Sequence, residues 1–335
     1  MLTNSFEINL ILKIRKKSDM IPKFIKKFEK INLNKNKKLI VIVGPTASGK
    51  TEFAIETAEK IGGEIISADS LQVYKEFSIC TSKPTKEQLE RVKHHLVGHI
   101  SVSSEYSVYS FVQEARQKIK EIINNKKTPI IVGGTGLYID ALINNFQFEN
   151  SSCEENNNNI FSKSTTNIPP GTSGEITSDI ENNKNLYKIL QKLDPLSAKY
   201  INQNDLKRIS HAINFFNKFG FSIYNQKINT EKNKFKYNKE FEIIKLGLNF
   251  KNRDILYDRI NKRVDLMLQN GLLEEINFVR KLKVSKTASA AIGYKELLPY
   301  LNGETTLYQA IEKIKQQTRR YAKRQITWFK RWVMR

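Results

Sequence analysis

Leu39-Ile40-Val41-Ile42-Val43-Gly44-Pro45-Thr46-Ala47-Ser48-Gly49-Lys50-Thr51 joins an apolar run to a glycine-bounded loop. Five aliphatic residues ending in Gly-Pro read as a short buried strand. Beyond the loop, Phe53, Ala54, Thr57, Ala58 and Ile61 recur at helical spacing and stop at Gly62-Gly63. Strand, Gly-x-x-x-x-Gly-Lys-Thr and helix, in that order, is the context a phosphate-binding loop requires. Gly44 and Gly49 permit a tight turn, so the N–H groups of Gly44, Thr46, Ala47, Ser48 and Gly49 can point inward around Pro45. Lys50 neutralises phosphate oxygens, the helix N-terminus adds its dipole, and the Thr51 hydroxyl can ligate Mg²⁺. The ligand class is a diphosphate or triphosphate; the loop does not name which.

Working outward, Glu64–Ser67 and Pro129–Val132 read as further buried strands, and Phe111–Ile123 and Leu137–Ile143 as helices. Alternation of this kind predicts an α/β fold, a parallel sheet with helices on its faces. Residues 150–185 break the pattern with nine Asn, including Asn156–Asn159, and with Pro169-Pro170. Such a stretch buries too little apolar surface to offset its ordering entropy, and a disordered insertion is expected. The remainder reads as largely helical. Leu256, Ile260, Val264, Met267 and Leu268 form a stripe ended by Gly271, and Leu307, Ile311 and Ile314 begin another that enters a basic C-terminus. The expected organisation is a basic extension over 1–38, the first part of the core over 39–149, the insertion over 150–185, and a helical part over 186–335 that completes the core.

Of 335 residues, 56 are Lys or Arg and 34 Asp or Glu, a net charge of +22. Lys and Asn are over-used along the whole chain, so distribution is more informative than the total. Residues 313–335 carry nine Lys/Arg and no acid, which favours a polyanionic partner, nucleic acid before a membrane surface. Cys80 and Cys153 form neither a disulfide framework nor a metal-ligand spacing, which fits a reducing compartment. No run of 18 apolar residues exists, so no membrane span is expected. The expected location is the cytoplasm. Organelle targeting by residues 1–38 is a lesser alternative, because that Lys-rich stretch includes Glu7 and Asp19.

Ligands of open parallel sheets bind outside the carboxyl ends of the strands. Besides the phosphate loop, two such ends carry chemistry: Asp69-Ser70-Leu71-Gln72 and Gly133-Gly134-Thr135-Gly136. Asp69 could hold a metal through water, accept a proton from an attacking group, or simply cap a helix with Gln72 completing a capping box. The glycine loop permits close approach of a ligand, or is only a tight turn.

These segments resemble, in order, those of the tRNA dimethylallyltransferase family, bacterial type. The matching runs are 44–51, Asp69–Lys75, Thr81-Ser82-Lys83-Pro84, His94-His95-Leu96, Gly133–Tyr138, the Asn204-Asp205-x-x-Arg208-Ile209 pattern, Ala291–Glu296 and Thr318–Phe329. The resemblance implies a P-loop sheet with a helical insertion and a helical C-terminal part. It implies that dimethylallyl diphosphate occupies the phosphate loop, Gly44, Pro45, Thr46, Ala47, Ser48, Gly49, Lys50 and Thr51. The N6 amine of the adenine 3′ of the tRNA anticodon, position 37, then attacks the allylic carbon. By the same resemblance Asp69 is the base, with Thr51 and Arg263 as its catalytic companions. Thr51 holds Mg²⁺. Asp69, Ser70, Leu71, Gln72, Thr135, Lys207, Arg208, Ile292, Gly293, Tyr294 and Lys295 meet the tRNA. Arg259, one turn before Arg263, either reaches toward phosphate or lies on a solvated face. Arg319, Arg320, Lys323, Arg324, Lys330 and Arg331 would grip RNA phosphates, and the interleaved aromatics Tyr321, Trp328 and Trp332 either stack on bases or pack in the core, packing being the favoured reading for the two Trp. Cys80 stands where the family has Gly, and His211 where it often has Arg.

The partners implied are tRNA, through its anticodon stem-loop, and dimethylallyl diphosphate, and a monomer is expected. Three other readings explain less. A nucleotide kinase or NTPase would want an acidic strand end where Gly133-Gly134 stands. An enzyme prenylating free adenine nucleotides leaves the basic C-terminus unused, and a non-catalytic RNA-binding protein leaves Asp69 idle.

Overall fold

The computed structural model describes residues 8–13, 37–144, 178–219, 222, 224, 241–250 and 252–333, with the side chains of 8–13, 178–185, 218–219 and 331–333 outside that description. The chain forms two compact units, Met1–Ile143 with Lys236–Arg335, and Asn144–Phe235.

The first unit is built on a six-stranded parallel sheet. Its strands are β1 (Ile8–Lys13), β2 (Lys37–Val43), β3 (Gly63–Ala68), β4 (His94–His95), β5 (Thr128–Gly133) and β6 (Phe241–Asn249), in the order β1-β6-β2-β5-β3-β4. Register decides where the site lies. Val43 is paired with Gly133, and Gly133 with Ala68, so the three chemistry-bearing strand ends finish level with one another. Helices α1 (Lys50–Ile61), α2 (Lys86–Arg91), α3 (Val108–Asn124) and α4 (Gly136–Ile143) lie between these strands in the chain. Ile40, Ile42, Ile65, Ile130, Ile244 and Leu246 pack with Phe53, Ala54 and Ile55 of α1 in one buried cluster. Each such Ile, Leu or Phe side chain contributes roughly 1.5–3 kcal/mol on burial.

Strand β6 corrects the expectation that the chain after residue 186 is largely helical. It lies inside the sheet between β1 and β2, with Lys37–Val43 paired residue for residue to Phe241–Gly247. Glu242 and Lys245 interrupt its apolar run and hide the strand, whereas two hydrogen-bonded neighbours stabilise it in place. Within the basic extension, Ile8–Lys13 pairs with Ile244–Asn249 as an edge strand.

C-terminal to β6 run α8 (Arg253–Gln269), α9 (Leu272–Val279), a 3₁₀ turn at Ala288–Ala290, α10 (Tyr294–Leu301) and α11 (Leu307–Val333). Asn252 caps α8 by accepting the Asp254 N–H. Of the expected stripe, Leu256, Ile260 and Val264 are buried whereas Met267 and Leu268 are half-buried, and Leu256 and Ile260 cluster with Ala322 of α11.

In the second unit, α5 (Ser178–Leu193), α6 (Pro195–Tyr200) and α7 (Leu206–Phe219) gather Leu190, Ala198, Ile201, Ile209 and Ala212 into a small core. Asp194 caps α6, which opens on Pro195. Of the expected disordered insertion, 150–177 lies outside the described residues. Its last part, from Ser178, instead opens α5, because Leu186 and Leu190 supply a helical apolar face that the Asn-rich composition masked.

Candidate active site

The phosphate loop takes the shape its glycines and small residues allow. Ala47 and Gly49 have φ of 60° and 82°, the left-handed region, and Gly49 leads directly into α1. The Ser48 N–H bonds back to the Pro45 carbonyl at 3.2 Å. The Ser48 hydroxyl is buried and has no hydrogen-bonding partner among the described residues. A hydroxyl held in that state costs free energy until an acceptor arrives. A phosphate oxygen is such an acceptor.

Two cations enclose the loop. Lys50 reaches the Pro45 carbonyl at 3.4 Å, and burial pushes its pKa down to about 8, with Asp69 opposing that shift and Arg263 adding to it. Arg263, from α8, donates to the Thr46 hydroxyl at 2.9 Å and to the Ser82 hydroxyl at 2.8 Å. Its pKa is also lowered, by burial, with Asp69 again opposing the shift. Arg259 donates to the Ala47 carbonyl at 2.9 Å, so it braces the loop while its side chain stays exposed.

Asp69 follows β3. Its Oδ1 accepts the N–H groups of Leu71, at 3.0 Å, and Gln72, at 3.3 Å. It therefore caps a turn rather than a helix. Gln72 completes no capping box: its Oε1 accepts from Ser67, and its Nε2 donates to the carbonyls of Thr81 and Ser82. Thr135 accepts the Ser70 N–H at 3.1 Å, tying the glycine loop to the Asp69 turn. Lys50, Thr51, Ser67, Asp69, Gln72 and His94 share the lining of a small open cleft with Ala54, Ile65, Pro84, Val132 and Gly133. The lining thus combines charged and polar groups with apolar ones, as a ligand with a charged head and a hydrocarbon tail requires.

The remaining expected residues divide. Gly293 is the N-cap of α10, with its N–H held by Glu296 at 2.8 Å. Ile292 accepts from the Cys80 thiol, and the Tyr294 ring is buried edge-on against Phe77 at 5.6 Å. Only Lys295 of this group is exposed. Lys207 and Arg208 lie exposed at the start of α7 in the second unit, Arg208 paired with Asp205 at 3.2 Å. Cys80 is accommodated by Gly293, whose Cβ position lies 3.1 Å from its sulfur, and burial pushes the thiol far up, so it stays protonated. Trp328 donates to Asp140 at 3.0 Å and packs on Gly136, which agrees with the packing role expected of it. The side chains of Arg331 and Trp332 are outside the described residues.

Three participants were not foreseen. His94 donates its Nδ1 proton to the Val92 carbonyl at 2.7 Å, and its buried Nε2 has no partner among the described residues. Gln325, from α11, reaches into the phosphate loop. Glu275, from α9, accepts three N–H groups, those of Ser78, Ile79 and Cys80, each at 2.8 Å. Nothing local marks the last two, since their partners are about 190 to 280 residues away. Glu275 anchors the loop that carries Ser82 to Arg263. Glu275→Ala strands three N–H groups, at a cost of about 2 kcal/mol. A Tm lower by roughly 4–8 °C in calorimetry is expected, together with a raised KM for the phosphate ligand. Glu275→Gln keeps an acceptor and recovers part of both.

The sequence model of a family described as IPP transferase matches residues 72–332. A tRNA dimethylallyltransferase of Thermoanaerobacter sp. (strain X514) is 43% identical over 295 residues, 87% of this chain and 88% of that protein. One from Enterococcus faecalis is 43% identical over 293 residues, 88% of each. The crystal structure of a tRNA isopentenylpyrophosphate transferase from Staphylococcus epidermidis superposes with a TM-score of 0.59 at 38% identity, covering 88% of this chain and 90% of that one. A eukaryotic dimethylallyltransferase acting on tRNA gives a TM-score of 0.66 at 31% identity, covering 88% and 70%.

Proposed function

The chain belongs to the IPP transferase family and is a tRNA dimethylallyltransferase, and we propose that its acceptor is the N6 amine of the adenine 3′ of the anticodon, position 37. The observation that carries this reading is the charge arrangement at the strand ends. Two partly buried cations, Lys50 and Arg263, face one carboxylate, Asp69, and both are depressed by burial. That deficit of negative charge is filled by a diphosphate.

In the proposed reaction the loop N–H groups, the Ser48 hydroxyl, Lys50 and Arg263 hold the diphosphate of dimethylallyl diphosphate. The N6 lone pair forms the bond to the allylic carbon, and the carbon–oxygen bond breaks with its electron pair leaving on diphosphate. The N6 proton passes to Asp69. Charge builds on the departing diphosphate, so the preorganised cations stabilise the transition state more than the ground state. The Asp69 turn and Thr135 hold the adenine, which is extruded from a single-stranded loop.

The family uses a divalent cation, here proposed as Mg²⁺. The residues fit it. Thr51 and Asp69 line one cavity, and no group of three or more His, Cys, Asp or Glu forms a metal cage among the described residues. Mg²⁺ commonly takes one or two protein oxygens and completes its shell with water and phosphate oxygens. When bound at Thr51 it neutralises diphosphate charge.

The exposed face of α11 presents Arg320, Lys323, Arg324 and Lys330, which suits an RNA acceptor better than a free nucleotide. At the β5 end, next to the phosphate loop, stands Gly133 rather than the acidic residue of a kinase. No described helix is long and apolar enough to cross a membrane. A cytoplasmic monomer engaging the anticodon stem-loop is the form proposed.

The experiment is transfer of label from dimethylallyl diphosphate, with Mg²⁺, to unmodified tRNA or to AMP. Label in AMP but not tRNA, or ATP hydrolysis without transfer, overturns the reading. Truncating the chain before α11 is not a usable control, because α11 also supplies Gln325 and Ala322 to the interior. Arg320→Gln, Lys323→Gln and Arg324→Gln together are expected to leave Tm unchanged. They should lower the slope of log affinity against log salt by about 2–3 in filter binding.

A further inference from the structure

Gln325 has no role in the chemistry above, yet it is only 4% exposed and lies between two of the strand-end loops. Its Oε1 accepts the Thr46 N–H at 2.8 Å, and its Nε2 donates to the Gly134 carbonyl at 3.0 Å. The amide orientation is set by its partners, since an N–H can only donate and a carbonyl only accept. From Thr46 the connection continues through its hydroxyl to Arg263 at 2.9 Å. From Gly134 it continues through Thr135 to the Ser70 N–H at 3.1 Å, beside Asp69.

We propose that Gln325 is a positioning residue that sets the spacing between the diphosphate-holding half of the site and the adenine-holding half. The proposal rests on the functional reading above and assigns it a further residue. Displacement at carbon requires nucleophile and leaving group in line, and errors near 1 Å in such a pair cost about a hundredfold in rate. One buried primary amide suits the task because it satisfies a donor and an acceptor at once. Methionine at this position would satisfy neither, and a carboxylate would repel the Gly134 carbonyl. The space around Gly134 points the same way. A Cβ there would lie 2.1 Å from Gln325 Nε2, with the next contact outside that side chain, the Gly44 carbonyl oxygen, at 3.7 Å. Gly134→Ala therefore acts on the site by displacing Gln325.

The test uses the full chain as wild type, Gln325→Met, Gln325→Ala, Gly134→Ala and the Gln325→Ala/Gly134→Ala double variant. For each, kcat and KM for dimethylallyl diphosphate and tRNA are measured per active site, together with Tm and tRNA affinity. Gln325→Met is expected to lower kcat by about 10- to 100-fold and to raise KM for the diphosphate, with tRNA affinity within about threefold of wild type. Gly134→Ala is expected to do the same alone, but to have under about threefold further effect once Gln325 is alanine. The proposal is overturned if kcat per active site stays within threefold in Gln325→Met, or if the two losses multiply in the double variant. Should Gln325→Met fail to fold, the Gly134→Ala cycle decides by the same criteria. Wild-type protein that transfers nothing to tRNA overturns the functional reading instead, so the two failures are distinct.

Discussion

Asp69→Asn is expected to lower kcat for transfer to tRNA by about 10²- to 10⁴-fold, the range removed with a positioned general base, while inorganic diphosphate still binds. The asparagine is the informative substitution because Asp69 does two things. Its Oδ1 holds the turn through the Leu71 and Gln72 N–H groups, and an amide oxygen can do that equally well. What asparagine cannot do is take the N6 proton. Asp69→Ala removes both functions, so it should lose further activity and several degrees of Tm as the turn loosens. Single-turnover rates with saturating diphosphate separate the two. An asparagine variant that transfers at the wild-type rate removes Asp69 from the role of base.

Arg263→Met is expected to abolish most of the stabilisation that diphosphate confers, while altering the unliganded protein little. In the free protein the guanidinium is held by two hydroxyls, Thr46 and Ser82, and burial disfavours its charge. Its one facing carboxylate, Asp69, is shared with Lys50, so this partly buried cation contributes little to folding, and its replacement by an apolar chain of similar length is expected to be near neutral. With ligand present its fork meets phosphate oxygens, and charge-assisted bonds of that kind are among the stronger ones. Thermal melts with Mg²⁺ and inorganic diphosphate are expected to show an unliganded Tm within about 3 °C of wild type. The ligand-induced shift should fall by more than half. An unliganded Tm that collapses would mean that Arg263 is structural first. A full ligand shift would remove it from the diphosphate site.

Both substitutions strike residues that could be picked out on the chain, and the reasons they could be picked out differ. Asp69 stands directly after an apolar run, where a strand must end and a ligand can approach. Arg263 was reachable only through the resemblance, because by itself it is one arginine on a helix that also carries Arg253 and Arg259. Tyr294 shows the converse. It belongs to the same matching run as Gly293 and Lys295, yet its ring is buried on Phe77, and a motif does not say which of its members face a ligand.

The phosphate loop was legible because strand, turn and helix periodicities are local, and all three are written within Leu39–Ile61. The strand ends at Asp69 and Gly133 followed by the same logic. Strand β6 was not legible, because Glu242 and Lys245 interrupt the apolar run that would mark it. Only pairing with β1 and β2 makes that segment a strand. Glu275 and Gln325 lie further from reach still. Each is an ordinary polar residue on a helix, and its function arises from a backbone group 195 to 279 positions away. Local periodicity tells which face of an element is buried. Which distant N–H that face will meet depends on how the elements pack, and that was decided only in the folded chain.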